Sequence, residues 1–124
     1  MIVDRYGLLK ESISPAPLIV PDYLDGEFVK YVFFELPKLL ERERRCVFIE
    51  DLDDRFTRSV RQGLLYITDL LKRISAAYNV QVVASGSSVL EEVFEGWTNV
   101  FTVYRRGGGI YVLVKPENIV RKIA

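Results

Sequence analysis

The most constraining stretch of this chain is residues 46–84, where an apolar strand, a long amphipathic helix and a second apolar strand follow one another. From Thr57 to Asn79 the residues Val60, Leu64, Ile67, Leu71, Ile74 and Tyr78 step by four and three, with Arg61, Asp69, Lys72 and Arg73 elsewhere. That spacing predicts one apolar helical face. The flanking runs, Cys46 to Ile49 and Val80 to Ala84, are apolar on consecutive residues rather than alternate ones. Such strands suit a sheet covered on both sides, and a helix between them suits parallel pairing.

Further strands are predicted at Ile2 to Val3, Leu18 to Val20, Asn99 to Tyr104 and Ile110 to Val114. Gly26 to Arg44 carries Phe28, Val32, Leu36, Leu39 and Leu40 at helical spacing, and Pro37 is expected to kink or split that helix. Asp25 is placed as its N-cap, with Glu27 in the first turn. Ser85 to Ser88 turns the chain, and Ser87 or Ser88 caps a short helix, Val89 to Gly96, that holds Glu91 and Glu92 near its start. Gly107, Gly108 and Gly109 supply the turn of a closing antiparallel hairpin. The expectation is a single α/β domain, 1–124, with a mostly parallel sheet and an antiparallel edge.

Composition excludes several functions. The sequence holds no histidine and one cysteine, Cys46, so the usual zinc sites, histidine acid/base catalysis and an internal disulfide are out. Lys and Arg (17) balance Asp and Glu (17), so any nucleic-acid binding must come from a local cluster. Arg58, Arg61, Arg105 and Arg106, with Arg121 and Lys122, are the candidates for such a patch; the competing reading is ordinary solvated surface. No leader or membrane span is recognisable, which predicts a cytoplasmic protein without a membrane partner. The scarcity of Asn and Gln beside abundant charge is the drift associated with thermophilic proteins.

The sharpest chemical motif is RRCVFIEDLDDRF, residues 44–56, an apolar strand running into Glu50, Asp51, Asp53 and Asp54. A carboxylate at the carboxyl end of such a strand is where nucleotide-hydrolysing α/β proteins hold Mg²⁺, although strands also end in acidic turns with no such role. The Asp22 to Lys30 run lacks the spacing of a metal-dependent nuclease. Tyr31, Phe33 and Phe34 lie in an aromatic run that surrounds its helix, so some are expected at the surface as an interface.

Together these segments resemble the RecA/RadA recombinase superfamily. The strand ending in Glu50-Asp51 looks like a Walker B strand; Ser59-Val60-Arg61-Gln62 and the run from Leu70 to Ser85 are similar to the long helix and sensing strand that follow it. Ala16 to Val20 with Gly26 to Glu43 resembles the preceding strand and helix, and Ile2 to Gly7 the strand that ends in I-D-T-E-G. The resemblance implies a three-layer, P-loop NTPase-type core. It also departs from that family: no G-x-x-x-x-G-K-[ST] loop exists, Tyr6 replaces the water-activating glutamate, and Ser85-Gly86-Ser87 replaces T-N-Q. The resulting expectation is a degenerate paralogue with no catalytic residue, in which Glu50, Asp51 and Asp53 are a Walker B-like remnant. No cofactor is expected, unless a partner completes an Mg-ATP site. The expected partner is a second copy or an intact RecA-type ATPase in DNA recombination or repair, the sheet lacking a member that the hairpin or the partner would replace. The alternatives are a small Mg²⁺-dependent phosphohydrolase or nuclease using residues 50–54, and a homo-oligomeric scaffold.

Overall fold

The computed structural model describes residues 1–94, 100–107, 109–115 and 119–122. Five strands are parallel: β1 (Ile2–Asp4), β2 (Leu18–Ile19), β3 (Val47–Ile49), β4 (Val82–Ala84) and β5 (Val100–Arg106). Two more, β6 (Gly109–Lys115) and β7 (Ile119–Lys122), continue the sheet with antiparallel pairing. Among the described residues the order is β2-β3-β4-β1-β5-β6-β7. The N-terminal strand therefore sits in the middle, hydrogen-bonded to β4 and β5, and the sheet shows no gap where a missing member was expected. Gly108, Asn99 and the expected end of the short helix at Glu95 and Gly96 lie outside the described residues.

The α-helices are α1 (Asp25–Lys30), α2 (Leu36–Arg42), α3 (Val60–Tyr78) and α4 (Ser88–Phe94), with short 3-10 helices at Lys10–Ser12 and Leu52–Arg55. The steps β2 to β3, β3 to β4 and β4 to β5 all move along the sheet in one direction, so right-handed crossovers put their helices on one face. The core agrees. Phe28, Val32, Leu36 and Leu40 from α1–α2, Leu64, Ile67, Leu71 and Ile74 from α3, and Leu90, Val93 and Phe94 from α4 form one cluster with Val3, Val47, Ile49, Val82 and Ala84. Side chains alternate along a strand, so the row through Phe48 and Val83 faces the other way, and these too are buried. The β1–β2 connection steps in the opposite direction and crosses that second face, where the Lys10 ammonium lies 5.8 Å from the Phe48 ring centre. Consecutive apolar residues did mark strands buried on both faces. The second cover is a connection whose one regular element is the short 3-10 helix Lys10–Ser12, however, and among the described residues no α-helix builds the expected third layer.

Pro37 does not break its helix. Residues 31–35 form a π turn, and the Leu36 N–H donates to the Tyr31 carbonyl, so α1 runs through it into α2. The proline lacks an N–H and its ring crowds the carbonyl four residues back, and one wide turn relieves both problems. The same turn serves the core. In a regular helix positions four apart drift by roughly 40° per step, which would carry Leu40 about 120° away from Phe28. The wider turn takes up much of that drift, and Phe28, Val32, Leu36 and Leu40 are all fully buried.

Asp25 is not an N-cap. At φ 49° it opens α1, and its carboxylate accepts from the Thr57 N–H (2.9 Å) and hydroxyl (2.6 Å). Ser87 does cap α4, accepting the Val89 N–H at 3.3 Å. β7 was not expected, because four residues carry too little pattern to read; pairing with β6 makes it a strand.

Candidate functional site

β1, β3 and β4 end side by side, bringing Asp4, Glu50-Asp51 and Ser85 to one edge of the sheet, the edge where ligands of open α/β sheets bind. Backbone bonds continue past the strands: the Ser85 N–H donates to the Ile49 carbonyl (2.9 Å) and the Leu52 N–H to the Ser85 carbonyl (2.8 Å). Asp51 takes a left-handed conformation (φ 51°, ψ 55°), and its N–H donates to the Ser85 hydroxyl.

The acidic residues then diverge. Glu50 reaches Lys10 on the β1–β2 connection at 3.4 Å. Both carboxylate oxygens of Asp53 accept from the Ser87 N–H at 3.3 Å, at the start of α4. Asp51 and Asp54 line a shallow cleft with Glu50, Asp22, Leu24 and Arg55. Partial desolvation, followed by the charges of Asp54, Glu50 and Asp53, raises the Asp51 carboxyl above its ordinary value, with Arg55 pulling the other way. Among the described residues no three acidic or cysteine side chains converge on a point that would hold a metal ion. The Walker B-like residues thus stand at the expected end of the expected strand without forming a ligand cage.

Two residues to which the sequence reading gave no role organise this edge. Asp4 is fully buried, and its carboxylate accepts the N–H groups of Leu8 (2.7 Å) and Leu9 (2.8 Å), so the loop after the central strand closes on the chain's own anion. Arg55, 3% exposed, donates to the carbonyls of Glu50 (3.1 Å), Pro21 (2.7 Å) and Tyr23 (3.3 Å) and pairs with Asp22 at 3.1 Å. It clamps the end of β3 to the loop that leads into α1. The signal available for it was a basic residue standing beside the acids of residues 50–54.

The helix-borne aromatics behave differently. Phe33 and Phe34 are 49% and 57% exposed, with ring centres 4.9 Å apart. Tyr23 and the half-buried Tyr31 lie 5.7 Å apart, and with Phe34 they line an open groove along residues 23–38 whose remaining walls are Glu27, Lys30, Glu35 and Lys38. Of the basic candidates, Arg61 faces Glu92 at 3.5 Å, Arg58 lies close enough to Asp25 to favour its ionised form, and Arg105 is exposed on β5. The side chains of Arg106, Arg121 and Lys122 lie outside the described residues. Cys46 is a half-buried free thiol whose burial pushes its pKa up, which fits a packing role.

Searches of protein-family models, of curated proteins and of solved structures each returned no match to this chain. No described helix is long and apolar enough to cross a membrane.

Proposed function

We propose that this chain is a degenerate RecA-like domain that works through protein contacts and does not hydrolyse nucleotide by itself. The observation that carries the reading is a contrast between two surfaces. At the strand ends Asp4, Glu50 and Asp53 are each engaged by groups of the chain itself, and among the described residues no three acidic or cysteine side chains converge as a metal site would require. On residues 23–38, by contrast, large aromatic side chains stand in solvent, as they do where a partner covers them. An accessory role in DNA recombination or repair, beside an intact RecA-type ATPase, follows from the resemblance alone. It is supported by the run of β3, α3 and β4 with acids at the end of β3. Mg-ATP enters only at a shared interface, with Glu50 or Asp51 lent to the partner's site. A metal-dependent hydrolase built on residues 50–54 would first have to reorganise Glu50 and Asp53, and no observation favours it.

The test is capture from host lysate on the tagged full chain, with nuclease treatment, followed by mass spectrometry. A RecA-type ATPase retained by the native chain and lost on Phe33→Ser/Phe34→Ser is the expected result. Recovery of this chain alone would overturn the heteromeric form of the proposal.

A further inference from the structure

The groove side of residues 25–42 carries, in order, Glu27, Lys30, Tyr31, Phe34, Glu35 and Lys38. Read forwards this is acid, base, aromatic, aromatic, acid, base. Read backwards it is the same series with every charge inverted. The inversion has one geometric consequence. When two copies of this helix lie antiparallel about a twofold axis passing between Val32 and Phe33, Glu27 of each meets Lys38 of the other. Lys30 then meets Glu35, and Tyr31 meets Phe34. Parallel stacking would instead set like charges against each other, and an unrelated partner would place no such demand on the series.

We infer that this face is an isologous contact between two copies of the chain, with Tyr31 and Phe34 at its centre and the Glu27–Lys38 and Lys30–Glu35 pairs at its ends. The inference rests on reading the face as a contact surface and adds the identity of the occupant. Twofold symmetry makes each contact occur twice, the defining property of a self-complementary patch. An aromatic centre with a charged rim is the usual layout of a protein interface. The internal Lys38–Glu35 contact, 3.7 Å between exposed side chains, is weak enough to be exchanged or shared. One helix face is a small interface, so the association is reversible and depends on concentration.

Sedimentation equilibrium of the full chain, from micromolar to several hundred micromolar, tests this with three variants. The native chain is expected to dimerise, and Glu27→Lys alone or Lys38→Glu alone to weaken the dimer about tenfold, since each creates two like-charge contacts. The double variant Glu27→Lys/Lys38→Glu restores opposite charges at both contacts and is expected to return the dissociation constant to near the native value. All four charges are exposed, so folding is not at stake. A monomer throughout the range, or a dimer indifferent to the single reversals, would overturn the inference, as would a double variant no better than the singles. If self-association fails in this way while an ATPase is still captured through Phe33 and Phe34, the surface is a contact face and its occupant is not a second copy.

Discussion

The backbone N–H of Asp51 donates to the hydroxyl of Ser85 across 2.9 Å, joining residues 34 apart in sequence at the ends of two neighbouring strands. This bond holds Asp51 in its left-handed conformation, which a non-glycine residue adopts only at some cost. Ser85→Ala removes the acceptor and is expected to lower stability by about 1–3 kcal/mol, read as a shift of the urea midpoint at unchanged slope. A variant with native stability would mean that solvent replaces the serine.

Asp51 itself should limit stability at neutral pH. The folded protein holds its proton more tightly than the unfolded chain does, because burial and the flanking acids Asp54, Glu50 and Asp53 disfavour the charged form. The resulting penalty is absent below the ordinary value of 3.8, grows as pH rises through the raised folded value, and is complete above it. Asp51→Asn should therefore raise the melting temperature at pH 7, with a gain that shrinks toward pH 3.5. Asparagine's tolerance of the left-handed conformation would contribute equally at every pH. A gain that does not vary with pH would exclude the electrostatic account.

Arg55→Lys is not a conservative change here. Lysine cannot reproduce the planar fork that serves three carbonyls and Asp22 together. A loss of about 3 kcal/mol is expected, with increased amide exchange in residues 21–25, since the clamp ties that loop to β3. Protection equal to the native chain's would relieve Arg55 of this role.

Gly63 tests packing. A Cβ there would stand 2.5 Å from the Phe56 ring, which itself packs edge-on against Phe28. Alanine normally stabilises a helix interior by about 1 kcal/mol relative to glycine. The clash outweighs that gain, so Gly63→Ala is expected to cost about 1–3 kcal/mol. Combining it with Phe56→Leu should cost less than the two changes summed, as measured in a double-mutant cycle.

What the sequence made readable was local. The α3 stripe stands out because Leu64, Ile67, Leu71 and Ile74 repeat one spacing over several turns, and β3 and β4 stand out because burial on both faces removes polar residues from them. The acidic residues following β3 could be placed because a strand's end fixes its neighbours. Illegible were the contacts made through space. Asp25 stands where an N-cap of its own helix is expected and instead reaches Thr57. Ser85 has the look of a turn residue and also anchors Asp51. Nothing in the sequence assigns Asp4 a role, because the groups it binds, the N–H groups of Leu8 and Leu9, reach it only once the loop folds back. The second layer is illegible for a related reason: residues 5–17 carry no α-helical period, yet this connection, with Lys10 opening a three-residue 3-10 helix, lies over Phe48 where a helix was expected.

The π turn makes the aromatic groove depend on chain length as well as on composition. Tightening that turn to ordinary helical winding at unchanged length, or inserting one more residue into 31–35, would rotate Glu27 and Lys30 by up to about 100° relative to Lys38, without altering any of those three side chains, whereas deleting one residue would let the regular helix keep their present facing. A one-residue insertion there is thus a change of partner geometry written in the backbone, so descendants of this chain could retain every charge on the helix and still lose the matching of its two halves.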